Sequence, residues 1–529
     1  MDKSVIQRLY RLGFIKDIAT ACEAMEDEKY SIHTLGIPED LLMENAGANV
    51  ARLVADGARD HRLNPEILIF AGPGNNGGDA VVAARHLVLN KFKVHLFILG
   101  QKENYSKSLA TQIALMERIN ADGHPNNTVQ LIDQAETLLS SLSNRHNSAS
   151  ILIDGIFGAG LNRKPQGLFL EAINLINEIK KIRNDNYVVS IDVPSGLSLE
   201  ATPPLGACVF ADQTITFSKL KRAHISEPTR SYCGHSVALS IGLFKRTHVK
   251  NHWIHRRDVL KDLFKEYPND CHKSDFGHVL VFEGHPHYRG ASRLSALGAL
   301  RVGAGLITLA TGGDDEKSSD LPEFMHCPLG EISDGLLKKV TALVIGPGLS
   351  ADESYHNLAL KFLNGLKKNV PFLVFDADAL PLLLDPGLKL SNKTIVATPH
   401  MGEAAKLLGW DTDRVKNNRF LALEALASLT SGSDNDVIWL LKGGSTLVRG
   451  ISSDIFIFYG DLPILSAGGS GDVLSGAIAG LYKQTESPLA CVLLAISIQL
   501  SAAAELSKRM FKGNTASELA NVFPKLTNR

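Results

Sequence analysis

Several short glycine-rich runs in this 529-residue chain carry polar side chains of a kind that does chemistry. The first is GPGNNGGD, from Gly72 to Asp79, directly after the apolar run Ile67–Phe70. Its glycines let backbone approach an anion, and a helix starting near Asp79 would turn free N–H groups toward it. Asn75 and Asn76 add amides, so the turn holds more polar groups than a strand-to-helix connection needs. Two further apolar runs end in aspartate, giving DGIFGAGL from Asp154 and DVPSG from Asp192. Asn76, Asp154 and Ser195 could supply hard oxygen ligands to a cation, and Asp192 could act as a general base. Although Gly72, Gly74 and Gly77 formally match GxGxxG, the next strand ends in glycine rather than an acidic residue. An ordinary dinucleotide site of that type is therefore not expected.

The strongest local signal is AGGSGDVLSG, from Ala467 to Gly476. Gly468, Gly469, Ser470 and Gly471 precede Asp472 at a helix start. Backbone N–H groups there can stabilise a transferring phosphoryl group while the aspartate accepts a proton from the attacking hydroxyl. Upstream, LLKGGST places Lys442, Gly443, Gly444, Ser445 and Thr446 after an apolar run. The turn suits phosphates but is not a Walker loop, because the order GxxxxGK[ST] is absent. DADAL offers Asp376 or Asp378 to a metal or substrate, and TPHMGEAAKLL offers His400 to substrate and Glu403 near a metal.

These residues must be held at strand tips. Short β-branched runs alternate with helical patterns: Ile67–Phe70, Val94–Leu99, Ile151–Asp154 and Val188–Asp192 in the first half, then Val279–Phe282, Leu306–Leu309, Leu343–Ile345, Phe372–Phe375, Thr394–Ala397 and Val437–Leu441. Helices are expected at Ala80–Asn90 and Ala404–Leu408, among others. The alternation predicts an α/β protein with parallel sheets covered by helices, whose ligands bind at the carboxyl ends of the strands. HSVALSIGLF reads as a closing strand, KRTHVKNHW as a boundary near residues 245–252, and HRRDVLKDLF as the start of a new helix.

Size and composition agree. At about 100–200 residues per domain, the chain holds two large domains or three smaller ones. Hydrophobic residues make up 44% and charged residues 21%, with a formal net charge of -1. No basic surplus points to nucleic acid or an anionic membrane, so a small-molecule partner is expected. The six cysteines (22, 208, 233, 271, 327 and 491) form no CxxC pair, which suits a reducing compartment. The first residues carry no apolar core of signal-peptide length, and a cytoplasmic location is expected. The uncharged stretch Leu489–Ala504 contains Ser497, Gln499 and Ser501 and reads as a buried helix rather than a membrane span.

LLMENAG (Leu41–Gly47), GPGNNGGD, DGIFGAGL and DVPSG, in this order, resemble the NAD(P)H-hydrate epimerase domain across about residues 20–245. The resemblance implies a Rossmann-like domain that interconverts the R and S hydrates of NADH and NADPH, written NADHX and NADPHX. It implies potassium at Asn76, Asp154 and Ser195. It also implies substrate contacts from Asn75, Asn76, Gly77, Gly78 and Asp79, from Gly158, Ala159, Gly160, Leu161, Asn162, Arg163 and Lys164, and from Asp192, the catalytic residue. Ala80 and Ala159 depart from the pattern.

HKSDFGHVLVFEG, GASRLSALGALRVGAGL, VIGPGL, DADAL, TPHMGEAAKLL, LLKGGST, GGSGDVLSG and GNTASEL resemble the ADP-dependent NAD(P)H-hydrate dehydratase domain across about residues 253–529. That implies a ribokinase-like fold, ADP or ATP as phosphoryl donor, Mg2+, and dehydration of the S hydrate. Ala291, Gly348 and His400 would contact the hydrate. Lys442–Thr446 and Gly468–Gly471 would contact the nucleotide, and Asp472 would be the base. The domain boundaries so implied are 1–245 and 253–529, and a homo-oligomer is expected. Departures are Glu283 and His285 in a glycine stretch, Ser350 after GPGL, Asp461 before the final loop, and Gln499 with Leu500 at a usual His-Gly pair. An extra carboxylate near bound phosphates would repel them by a few kcal/mol at an effective dielectric of ~20. The second-half motifs alone would also fit a ribokinase-like small-molecule kinase or a nucleotide sensor, and a repair enzyme with one active half is a further alternative.

Overall fold

A computed structural model describes residues 2–60, 65–121, 130–132, 150–161, 163–245, 249–256, 258–312, 322–366, 369–460 and 462–527. Asn162 and Asp461 lie outside the described residues. The chain forms two compact units, Asp17–Val249 and Met1–Lys16 with Lys250–Arg529. The first sixteen residues thus belong with the second half, not with the 1–245 domain drawn from sequence. The helix Asp2–Arg11 buries Val5, Ile6 and Leu9 in that unit's core, which explains its allegiance.

In the first unit, residues 17–19 continue a short strand, β1 (Ile15–Ala19), that pairs with β8 (Leu220–Lys221) through Ile18–Leu220 and Ala19–Lys221. The main sheet of seven strands contains β2 (Glu66–Ala71), β3 (Val94–Ile98), β4 (Gln130–Ile132), β5 (Ser150–Gly155), β6 (Tyr187–Ile191), β7 (Gln213–Phe217) and β9 (His235–Leu239). Their order is β4-β3-β2-β5-β6-β7-β9, and every pairing is parallel. β2, β3 and β5 read as continuous buried apolar runs, as a sheet covered on both faces requires. Strand order reverses between β2 and β5, so the loops after them flank a crevice at the sheet's carboxyl edge. The asparagine loop leaves β2, and Asp154 lies one residue before the end of β5.

In the second unit the strands are β10 (Asn251–Ile254), β11 (His278–Glu283), β12 (Leu306–Thr311), β13 (Phe324–Pro328), β14 (Ala342–Ile345), β15 (Phe372–Phe375), β16 (Thr394–Ala397), β17 (Asp436–Leu441), β18 (Ser445–Arg449) and β19 (Ile455–Tyr459). They run in the order β13-β12-β11-β14-β15-β16-β17-β18-β19-β10. Pairings from β13 to β17 are parallel, β17-β18-β19 are antiparallel, and β10 is parallel to β19. The reversal falls between β11 and β14.

Two expectations fail here. Residues 251–254, placed at the boundary by their lack of period, form β10, because pairing with Ile455–Phe458 supplies the hydrogen bonds that a polar sequence cannot advertise. The described residues of HRRDVLKDLF form no α-helix and hold the short turn Lys261–Leu263. Leu260 is buried and its N–H donates to Ser497 Oγ at 3.2 Å, so tertiary contact overrides a helix-compatible pattern. The apolar stretch 489–504 is a core helix, Pro488–Ser507, with Leu489 to Ile498 buried along its length.

Glycine decides one packing contact. Helices Arg289–Arg301 and Ser470–Leu481 touch backbone to backbone. A Cβ on Gly476 would fall 1.7 Å from the Ser295 carbonyl oxygen, and one on Gly298 would fall 2.2 Å from that of Val473. That contact fixes the start of the helix bearing Asp472.

Candidate functional site

The first unit has a cavity of about 790 Å³ at the tips of β2, β5 and β6. Asn75, Asn76, Asp79, Gly158, Ala159, Gly160, Leu161, Arg163 and Asp192 line it, as expected. The helix after β2 starts at Asn75, not near Asp79, with Gly74 as its N-cap. Asp79 is therefore the fifth residue of the helix, one turn past the free N–H groups at its start. Gly77 and Gly78 shape this wall from behind. A Cβ on Gly77 would meet the Gly72 carbonyl oxygen at 1.8 Å, and one on Gly78 would strike the Met43 side chain. Lys164 is not among the lining residues; its stem lies beside Gly206.

Asp192 follows β6 with φ +62°, a left-handed conformation costly for a residue with a Cβ. Its surroundings hold it there. The Asp192 N–H donates to the Ile215 carbonyl at 2.8 Å, and its own carbonyl accepts from His224 Nε2 at 2.8 Å. Lys221 N–H donates to His224 Nδ1 at 2.9 Å, so the two partners require a neutral Nε2–H tautomer. Burial, and then the nearby Lys221 ammonium, drop the pKa of His224 to about 4. The Asp192 carboxylate accepts from Lys221 Nζ and Thr216 Oγ1, each at 2.8 Å. Burial opposes its ionisation, yet Lys221 and Thr216 together keep the carboxyl below its ordinary range. Asp79, on the facing wall, goes the other way. Its recessed position, and then Asp192, Glu28 and Glu39, push its carboxyl well above the ordinary range.

Asp154 and Ser195 stand behind the wall rather than in it. Asp154 is fully buried. One carboxylate oxygen accepts from Ser195 Oγ at 2.5 Å and Ile156 N–H at 3.2 Å; the other accepts from Ser190 Oγ and Ser195 N–H, each at 2.8 Å. Burial raises its pKa despite these donors. Next to this group the Asn76 side-chain nitrogen is buried without a hydrogen-bond partner. Turning that amide round would present its oxygen instead. A buried carboxylate, a hydroxyl and an amide oxygen make a hard oxygen donor set of the kind that holds a cation.

Sequence reasoning missed Glu28, Glu39, Lys219 and Lys221, all lining this cavity. Lys221 is the important omission. Its signal was a cation four residues past the end of β7, at the edge where ligands bind.

In the second unit Lys442 connects three strand tips and a helix. Its Nζ donates to Asp376 Oδ1 at 2.8 Å, and the other oxygen of that buried aspartate accepts from Ser475 Oγ at 2.5 Å. A Cβ on Gly471 would come 3.3 Å from Lys442 Nζ, so the ammonium lies over the glycine turn that begins the Asp472 helix. Burial disfavours the ammonium, but Asp376 and Glu403 outweigh it and raise its pKa. Asp472, half-buried in that helix's first turn, is pushed up to about 7 by burial and then by Asp376, against the pull of Lys442. Asp378 is exposed, which leaves Asp376 as the working residue of DADAL.

A cavity of about 320 Å³ beside this group is lined by Lys442, Gly443, Gly444, Thr446, Ser470 and Gly471, with Leu462, Pro463, Leu465 and Gln499 opposite. Three expected nucleotide contacts do not line it. Ser445 is buried in β18, and its carbonyl accepts from Arg419. Gly468 and Gly469 form the turn before the helix, with Gly469 at φ +87°. His400 is exposed and serves as the cap of helix Met401–Leu408. Its Nδ1 accepts from Gly402 N–H at 3.0 Å and Glu403 N–H at 3.2 Å, while its Nε2 lies 3.3 Å from Glu403 Oε1. Gly348, at φ +72°, lies against the Tyr288 carbonyl, and Ala291 follows in the first turn of helix Arg289–Arg301. These two expected hydrate contacts therefore share one corner.

The sequence departures find physical places. Glu283 is buried with its carboxylate 3.6 Å from Arg293 and 3.5 Å from Ser292 Oγ, so that charge is compensated rather than facing phosphates. Gln499 lines the nucleotide cavity and donates to the Ser470 carbonyl at 2.8 Å. Ser350 adopts φ +77°, which explains why glycine suits that position better.

With both sites in view, the fold and the two pockets, one lined by Asp79 and Asp192 and the other by Lys442 and the glycine turns beside Asp472, define an α/β protein with one active-site scaffold in each unit. A family model described as YjeF-related protein N-terminus matches residues 39–223, and one described as NAD(P)H-hydrate dehydratase matches residues 279–525. The chain is 31% identical over 493 residues to the bifunctional NAD(P)H-hydrate repair enzyme Nnr of Moorella thermoacetica, covering 89% of each protein. It is 28% identical over 512 residues to the Escherichia coli protein of the same name, covering 95% of this chain and 92% of that one. A crystal structure of the ADP/ATP-dependent NAD(P)H-hydrate dehydratase of Bacillus subtilis, co-crystallised with ATP and Mg2+, is 26% identical; it covers 50% of this chain and 94% of that chain, with a TM-score of 0.42. The chain belongs to the family of bifunctional NAD(P)H-hydrate repair enzymes.

Proposed function

We propose that this protein repairs hydrated NADH and NADPH in the cytoplasm. Residues 17–249 would interconvert the R and S hydrates, and residues 250–529 would dehydrate the S form with ADP or ATP as phosphoryl donor. The observation that carries this reading is a pair of aspartates, Asp192 at the tip of β6 bonded by Lys221 Nζ at 2.8 Å and Asp472 in the first turn of the helix that the glycine turn begins, with Lys442 over that turn.

In the first site Asp192 would take the hydroxyl proton of the hydrate and return it to the ring nitrogen as the adjacent C–N bond breaks. Closure on the opposite face reverses both transfers and gives the other epimer. Lys221 and Thr216 hold the carboxylate ionised and aimed. Asn76, Asp154 and Ser195 would hold potassium, whose charge would compensate buried Asp154 and brace the loops on either side.

In the second site Asp472 accepts the proton of the hydrate's hydroxyl as its oxygen attacks the terminal phosphorus of the nucleotide. Lys442 and the N–H groups of the 468–471 turn receive the phosphoryl charge. Phosphate then departs with its C–O bond electrons, and loss of a proton from the neighbouring carbon restores the dihydronicotinamide. Hydroxide is a poor leaving group and phosphate a good one, which is the reason for consuming a nucleotide. Among the described residues no group of three or more His, Cys, Asp or Glu side chains forms a metal cage. That is compatible with Mg2+, which is commonly held by one or two carboxylates and the substrate's phosphates. Glu403, close to Asp376 and Lys442, would be the protein's ligand, and the ion would neutralise phosphate charge. A homo-oligomer is part of the same reading.

The test is to incubate the protein with mixed R and S NADHX and ADP and to follow recovery of the dihydronicotinamide absorbance. Consumption of both forms is expected. Recovery of the S fraction alone would show an inactive first site, and no recovery would refute the dehydratase reading.

A further inference from the structure

Four rings gather where β11 gives way to helix Arg289–Arg301. His285 is at the centre, with ring centroids 5.0 Å from His287, 5.2 Å from Tyr288 and 4.9 Å from Tyr355. Interplanar angles of 42° to 56° leave no ring covered face to face. Tyr288 is 57% exposed, unlike buried Phe282, Phe372, Phe375, Phe456 and Phe458 in the same unit. Backbone holds the cluster firmly. His285 N–H donates to the Gly348 carbonyl at 2.8 Å, its Nδ1 accepts from His287 N–H at 3.1 Å, and Tyr288 N–H donates to the His285 carbonyl at 3.0 Å. A Cβ on Gly348 would come 2.4 Å from the Tyr288 carbonyl oxygen, so the rings border the corner holding Gly348 and Ala291. Beside them a Cβ on Gly290 would meet nothing within 4 Å, which marks open space next to the rings.

Rigid, half-solvated rings at a strand tip are suited to stacking on another flat ring. The nucleotide cavity is bordered by other residues, Leu462, Pro463, Leu465 and Gln499. We propose that the His285–His287–Tyr288–Tyr355 cluster is a stacking platform for the adenine ring of the dinucleotide hydrate, making the second site selective for dinucleotide over mononucleotide substrates. This rests on the dehydratase reading given above. His285, a departure from the glycine-rich pattern at this point, gives this chain the central ring.

The experiment compares dehydration of the S hydrate of NADH with that of the hydrated reduced nicotinamide mononucleotide, which lacks the adenylate. Tyr288→Ala is expected to raise KM for the dinucleotide about tenfold, as loss of one stacking ring would. Its kcat at saturation, KM for the mononucleotide and KM for ADP should stay within about twofold of wild type, while Tyr288→Phe keeps the wild-type preference. Equal weakening toward both hydrates, or a rise in KM for ADP instead, overturns the platform and leaves the dehydratase reading standing. Failure of the wild type to dehydrate either hydrate overturns both.

Discussion

Asp192 begins the loop after β6 in one unit and Asp472 sits in a helix's first turn in the other, and their lysines are used differently. Lys221 hydrogen-bonds Asp192 directly at 2.8 Å and holds it ionised. Lys442 gives its bond to Asp376 instead, so Asp472 feels burial and a neighbouring carboxylate and titrates near 7. Where the ammonium points decides on which side of neutrality the base operates. A base that must be charged at rest has its cation in contact. The cation nearest Asp472 is bound instead to a second carboxylate, Asp376, and lies over the glycine turn.

The largest expected effects separate the sites. Asp472→Asn should lower dehydration about 10²–10⁴-fold, with epimerisation unchanged. Asp192→Asn should cost epimerisation a similar factor while the purified S form is still dehydrated. Chiral separation of the hydrates against time measures both, and a variant that loses both activities would join the sites the comparison holds apart. Next comes Lys442→Met, expected to lower dehydration about 10²–10³-fold, the scale of losing one preorganised donor at developing charge. Without its cation Asp472 should also titrate higher, so the rise in dehydration rate with pH moves upward. Lys221→Met gives a subtler result. Removing the group that offsets burial raises the pKa of Asp192, so an acidic limb appears in epimerisation at higher pH than in the wild type, and Lys221→Arg should largely restore the profile. The smallest effect concerns Ser350. Ser350→Gly relieves a left-handed backbone and should stabilise the protein by about 0.5–1 kcal/mol in denaturant unfolding, partly offset by the freer unfolded chain.

Much of this arrangement was legible in the sequence. Phe372–Phe375 and Thr394–Ala397 are strands to the residue, and the other proposed strands differ by one or two positions at their ends, except the closing strand HSVALSIGLF, which stops at Leu239. Buried parallel strands write themselves as continuous apolar runs bounded by glycine, so their tips, and with them Asp154, Asp192, Asp376 and Lys442, could be placed in advance. What could not be read depends on distant partners. Helix Asp2–Arg11 joins the far half of the chain, and β10 is a strand only because β19 lies beside it. The place of Lys221 past the end of β7 marks a cation at the ligand-binding edge, but its partner Asp192 lies 29 residues earlier, so the pair is not written locally. Ser445 and the glycines at 468 and 469 fell in the right motif but turn away from the cavity, because alternation in β18 and the left-handed turn at Gly469 choose which groups face inward.

The central claim is that the two bases carry opposite biases in one protein, and pH profiles of the two half-reactions test it. Purified S hydrate reports dehydration and purified R hydrate without nucleotide reports epimerisation. Dehydration should rise through about pH 7, as Asp472 loses its proton, while epimerisation stays level there because Asp192 is already ionised. Identical profiles for the two reactions, or a rise through neutrality in epimerisation alone, would contradict it.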